Sequence, residues 1–116
     1  MSGADWEWPA SLDALAASPE CHSLSFENDE VRVLDTTIRP GETTNVHTHR
    51  WRSVIYIITP GHIVRRDGNG ALLADSRDAG PPSPAGTTIP LDPLPPHTVE
   101  NVGDADVRFV SFELKR

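Results

Sequence analysis

The sequence predicts an all-β domain, and three observations support that class. Eleven prolines and eight glycines among 116 residues imply many turns and leave little room for long helices. Apolar and β-branched residues come in short runs, clearest in 31–38 and 53–58, as half-buried strands require. Turn signals separate these runs: Pro40-Gly41, Pro60-Gly61 and the hairpin-forming Asp67-Gly68-Asn69-Gly70. The length suits one domain, and a hydrophobic content of 37% is adequate for one core.

Residues 1–23 read as a leader and 24–116 as a single β-barrel domain. Within the leader, 11–19 can form one or two helical turns, with Ser11 as N-cap and Pro19 as the stop. Leu12 and Leu15 would form its docking face, and Trp6 and Trp8 are expected to pack on the main body. Nine short strands follow, over 24–26, 31–38, 45–49, 53–58, 62–66, 71–75, 87–89, 97–102 and 107–114. Residues 27–30 make a polar turn, 76–85 are loose around Gly80-Pro81-Pro82-Ser83-Pro84, and Gly103-Asp104-Ala105-Asp106 joins the last two strands. Four prolines in 90–96 argue against a central strand there. So many short strands with almost no helix describe a sandwich or barrel.

Charge and composition exclude several functions. The formal net charge is −7 and the pI near 5.0, and no Lys/Arg cluster forms a nucleic-acid surface. No glycine-rich loop opens a helix, so a nucleotide is not expected, and no Ser-His-Asp arrangement is evident. The single cysteine, Cys21, rules out an internal disulfide and fits a reducing compartment; with no visible activating partner it is expected to be inert. The N-terminus has neither a basic start nor an apolar run, and the longest apolar run, 54–58, is far too short to span a membrane. The expectation is a soluble cytoplasmic protein that contacts neither nucleic acid nor membrane.

What chemistry there is lies in the histidines. His47 and His49 are two apart, so on a strand they point to one face, and His97 lies far downstream. Three imidazoles on paired strands can converge on one divalent ion. Gly41 precedes His47 by five intervening residues; His47-Thr48-His49 is followed by Arg50-Trp51-Arg52, then Ser53, then the apolar strand to Pro60-Gly61. Downstream, Gly86 leads through Asp92-Pro93-Leu94 to His97, and Asn101 follows three intervening residues later.

This pair of motifs resembles the cupins, a family of small β-barrels, and with the segment between them covers most of the chain. The resemblance implies a cupin-type double-stranded β-helix, or jelly-roll barrel, with a short N-terminal helical leader. It also implies one divalent transition metal (Zn, Ni, Fe, Cu or Mn) on His47, His49 and His97, and a homodimer. The chain departs from the family pattern at Asp92 and Leu94, where Pro and Gly are usual, at Gly61, displaced by one, and above all at Ser53. The usual fourth ligand is a glutamate at position 53. Three neutral imidazoles leave the ion its full charge and leave coordination positions open to water or substrate, while Ser53 is placed to hydrogen-bond a bound water. Three-histidine sites occur among cupin iron oxygenases.

The remaining candidates divide by strand parity. Glu100 is expected on the face opposite His97, Tyr56 outward at a dimer contact, and Asn101 tying down its neighbouring turn. Glu42 is a looser candidate to replace the missing ligand. Trp51 is either a pocket wall or core. Arg32 is either an anchor for an anionic substrate or, preferred on the sequence, a surface charge. His22 in the leader and His62 beyond the Pro60-Gly61 turn are expected at the surface, and Arg65-Arg66 as a solvated strand end. Three functions stay open: a metal-dependent enzyme acting on a small organic acid or enol, by oxygenase, isomerase or lyase chemistry; a non-catalytic small-molecule binding module; and a structural dimer with a vestigial pocket. No catalytic residue is named.

Overall fold

The computed structural model describes residues 6–115. Nine strands form among them: β1 (His22–Glu27), β2 (Val31–Ile38), β3 (His47–His49), β4 (Arg52–Thr59), β5 (Ile63–Asp67), β6 (Leu72–Asp75), β7 (Thr88–Leu91), β8 (Leu94–Asn101) and β9 (Val107–Leu114). They build a five-stranded sheet in the order β1-β2-β9-β4-β7 and a four-stranded sheet in the order β3-β8-β5-β6, with every strand pair antiparallel. Two such sheets face to face bury their inner sides against each other. The all-β class expected from the sequence is therefore the observed one, and no helix among the described residues is long and apolar enough to cross a membrane.

β2 shows how the pattern writes the fold. Arg32, Leu34, Thr36 and Ile38 are buried, and the alternate residues are less so, because successive side chains on a strand face opposite ways. Its register with β9 runs unbroken from Val31↔Leu114 to Ile38↔Val107. On β4 the same alternation turns Ser53, Ile55, Ile57 and Thr59 toward a cavity of about 400 Å³ between the sheets, and leaves Tyr56 exposed, outward as expected. Asn101 also does what its position suggests. It is fully buried, its Nδ2 donates to the Ile38 and Ala105 carbonyls, both at 2.8 Å, and its Oδ1 accepts from Gly103 N at 2.9 Å.

Two expectations need correcting here. The proline-rich stretch does carry strands. Pro90 lies on β7, an edge strand, where a missing N–H leaves no ladder gap to fill. Pro95 and Pro96 belong to β8, which lies inside its sheet between β3 and β5, but they stand in its opening residues. The N-terminal segment differs too. Its helix α1 spans Ala14–Ala17, and the cap is Asp13, not Ser11: the Asp13 carboxylate accepts from Leu15 N. Ser18 ends the helix just before Pro19, and β1 begins at His22, two residues earlier than the sequence suggested.

Candidate metal centre

Four imidazoles meet inside the barrel. His47 and His97 are register partners on β3 and β8, which sets their rings on one face with centroids 4.4 Å apart. His49 follows on the same face, 5.0 Å from His47 and 5.7 Å from His97. The β3–β8 register shifts between His47 and His49, an irregularity of the kind that re-aims side chains near sites. The fourth ring is His22. It comes from β1 in the other sheet and lies 4.7 Å from His47 and 5.7 Å from His49.

His22 corrects the sequence reading. It is not at the surface but 5% exposed, and the potential ligand atoms of His22, His47 and His49 all lie within 4.8 Å of one another. The missed signal was the alternation His22-Ser23-Leu24-Ser25-Phe26, which starts a strand at the histidine. His62 stands apart from the cluster, half-buried, its Nδ1 hydrogen-bonded to Ser76 Oγ at 2.9 Å. Glu100 pairs with Arg66 at 3.2 Å and Glu42 accepts from Arg39 N; neither replaces the glutamate absent at Ser53. Ser53 itself is buried and lines the cavity.

The hydrogen bonds of the four rings decide their tautomers. His22 Nδ1 meets the Ser18 carbonyl at 2.9 Å, His47 Nδ1 the Asn45 carbonyl at 2.8 Å and His97 Nδ1 the Pro95 carbonyl at 2.8 Å. A carbonyl only accepts, so each Nδ1 carries the proton and each Nε2 keeps its lone pair. His49 Nδ1 meets Glu113 Oε2 at 2.9 Å. Burial, and then the neighbouring imidazoles, push His47 down to about 2; burial is also the main cause that lowers His22 and His97 to about 4. Buried, neutral rings with Nδ1–H engaged and Nε2 bare are the form in which histidine binds a divalent ion. Three histidines this close can hold a metal ion, and the donor set fits one.

Behind His49 lies a buried chain of charge. Glu113 is fully buried on β9 and its Oε1 accepts from Arg32 Nε at 2.6 Å. Arg32 in turn grips Asp13 with both terminal nitrogens, at 2.9 and 2.7 Å. Burial opposes ionisation of Glu113, but hydrogen bonds from His49 and Arg32 hold its carboxyl below the usual range. Arg32 is thus neither the surface charge preferred on the sequence nor a cavity anchor; it is 6% exposed and spans two carboxylates. Trp51 covers it, with the guanidinium 5.1 Å from the ring centroid. The sequence did hold a signal for Glu113: it shares parity with Val107 and Phe109, so a carboxylate was bound to point inward. Cys21 is buried, and burial is the main cause that raises its thiol to about 11, in keeping with an inert role.

The cavity beyond the histidines is largely hydrocarbon, with walls from Ile38, Ile55, Ile57, Val99, Val107 and Phe109. Arg65 also lines it, which corrects its assignment to a solvated strand end. Among the lining residues there is no Asp, Glu, Lys, Tyr or Cys.

No protein-family model matches the chain, and no curated protein matches it. Solved structures do. A cupin domain from Bordetella pertussis Tohama I aligns with 22% identity over 82% of this chain and 92% of its own, with a TM-score of 0.66. A conserved protein with a double-stranded β-helix domain from Klebsiella pneumoniae shares 22% identity over 81% of this chain and 75% of its own, TM-score 0.57. The polyketide cyclase RemF from Streptomyces resistomycificus shares 16% identity over 86% of this chain and 68% of its own, TM-score 0.56. Likeness at these identities is a likeness of fold. The two antiparallel sheets, the histidines between them and these neighbours agree on one architecture: the chain has the cupin fold, a double-stranded β-helix.

Proposed function

We propose that this protein binds one divalent transition metal through His47, His49 and His97, with His22 as a fourth ligand, and that the bound ion holds a small organic acid or enol by its oxygen atoms. The observation that carries this reading is the common state of the rings: His22, His47 and His97 each give Nδ1–H to a carbonyl, and none of the four Nε2 atoms is used by another group among the described residues. Zn, Ni, Fe, Cu and Mn all accept imidazole nitrogen. When bound, such an ion supplies Lewis acidity, or reactivity toward dioxygen if it is iron. The chain's own part is to orient the ligands, surround the ion with a mainly apolar cavity, and set a carboxylate behind His49. Two carboxylates around one guanidinium leave a net negative charge against that ring, which favours a cation at its far nitrogen.

The test is metal analysis of protein purified without added metal, followed by zinc and cobalt titration monitored by melting temperature. About one ion per chain, lost in His47→Ala, is expected, with stabilisation that grows with free metal. No copurified metal and no shift on titration would end the reading. One observation favours a binding module over an enzyme: no carboxylate, lysine or tyrosine lines the cavity to act as a general base. Turnover is then the ion's work or absent.

We also propose that two copies pair through the outer face of the larger sheet. Phe26, Val33, Phe112 and Val54 are successive register partners across four strands, and Phe26 and Phe112 are exposed. An apolar row of this kind is a common dimer surface. Sedimentation equilibrium at micromolar concentration should give a dimer; a monomer counts against it.

A further inference from the structure

Among the residues that line the cavity, Arg65 is the one permanent cation, and no carboxylate of the described residues pairs with it. Arg65 lies on β5 opposite Val99 and beside Ala74 on the flanking strands, and all three line the cavity. His97 is two residues from Val99, so Arg65 and His97 are diagonal neighbours on one face of the sheet, within reach of a long side chain. Arg32, Arg66, Arg77, Arg108 and Lys115 each have a carboxylate partner. Arg65 makes no hydrogen bond or ion pair among the described residues. It is half-buried, and no carboxylate lines the space it faces.

A half-buried guanidinium facing a hydrocarbon cavity without a counter-ion is costly unless a ligand supplies one. The chain as a whole is acidic, at −7, so this cation reverses the prevailing sign locally. A guanidinium matches a carboxylate with two parallel hydrogen bonds. The remaining walls are mostly apolar, interspersed with Ser and Thr hydroxyls such as Thr36, Ser53 and Ser111, and a space of about 400 Å³ lies in the range that holds small ligands.

We infer that Arg65 is a specificity residue: it anchors the carboxylate of a small organic acid next to the histidine cluster, while the acid's apolar body lies along the isoleucine-lined walls. This deepens the reading of the same cavity given above and rests on it for the ligand's second contact, but the Arg65 contact needs no metal. It separates apolar monocarboxylic acids from their neutral analogues, which offer the guanidinium no charge.

The experiment compares hexanoate with hexanamide, a neutral analogue of the same shape, by NMR titration of the protein in chelator and again with zinc. Wild type in chelator should bind hexanoate about ten-fold more tightly than hexanamide, the worth of one charge-assisted contact. Arg65→Gln should bring hexanoate down to the hexanamide level and leave hexanamide unchanged, and Arg65→Lys should restore part of the difference. A melting temperature for Arg65→Gln equal to wild type keeps the comparison free of misfolding. Equal affinity for the two probes, no saturable shift from either, or a hexanoate preference that survives Arg65→Gln would overturn the inference. The two readings fail separately. A preference that appears only with zinc and ignores Arg65→Gln retains the metal site and removes the Arg65 role; an Arg65-dependent preference in a protein that binds no zinc does the reverse.

Discussion

The four histidines form two pairs that are held in different ways. His47 and His97 each lean on the carbonyl two residues upstream, Asn45 and Pro95. Their orientation is local to β3 and β8 and travels with the barrel. His22 and His49 are held from outside those strands. His22 depends on Ser18 at the end of α1, and His49 on Glu113 at the far end of the chain. Both supports run back to one segment: Ser18 ends α1, and Asp13, which caps its start, reaches Glu113 through Arg32. A barrel alone would present two fixed rings. The N-terminal segment and the buried ion chain supply and steady the other two.

The strongest way to break this comparison is Arg32→Met. It leaves the Asp13 and Glu113 carboxylates without their shared cation, and losing one partner of a buried ion network costs about 3–5 kcal/mol. Urea unfolding should show that loss, and a change under about 1 kcal/mol would mean that the network supports nothing. The variant should also differ in acid. Burial opposes ionisation of Asp13, but Arg32 holds its carboxyl below the ordinary 3.8. The stabilisation is therefore complete above that value and is lost as pH falls through the lowered one. Wild type should show that acid limb, and Arg32→Met should have lost it.

Metal affinity separates the two pairs next. His47 touches all three other rings, so His47→Ala should weaken zinc binding by more than the roughly 100-fold upper range for an outer hydrogen-bond partner. His22→Ala should cost less, because His22 meets only two of the other rings, His47 and His49. Equal losses from the two variants in a competition titration would show that the segment-borne ring is as central as the barrel-borne one. Glu113→Gln sharpens the contrast. The amide oxygen still accepts from His49 Nδ1, so the tautomer persists while the negative charge goes. Zinc affinity should fall by about 10–100-fold, and stability should fall as well, because the amide NH2 then faces the Arg32 Nε–H that the carboxylate accepted. An unchanged affinity would mean that Glu113 orients His49 without tuning it.

The same division marks what the sequence could tell. His47, His49 and His97 were legible because strand periodicity and motif spacing are local quantities. The strands were legible for the same reason, down to the inward face of β4. His22 was not read because a leader was expected to lie outside the barrel, and no local pattern says which segment will fold back over a site. Arg32 was misjudged because its partners, Asp13 and Glu113, are 19 and 81 residues away. Arg65 looked like a solvated strand end because its cavity exists only once the two sheets face each other. The prolines of 90–96 misled for a different reason: the rule against proline in strands depends on whether the strand lies at an edge and on where in the strand the residue falls, and both are properties of the assembled sheet.

That leaves the serine at position 53, and the register supplies its physical reason. Ser53 on β4 pairs directly with Glu113 on β9, so their side chains share one face. A glutamate at 53 would place a second carboxylate opposite a buried one, and like charges directly across a strand pair repel. In this chain the carboxylate stands one strand over, behind His49, and position 53 carries a small neutral group. Ser53→Glu should therefore lower stability at neutral pH by about 1 kcal/mol, the smallest effect considered. Combined with Glu113→Gln it should recover most of that loss, giving a coupling of about 0.5–3 kcal/mol in a double-mutant cycle. Strict additivity would show that the two carboxylate positions do not compete, and the serine would then need another explanation.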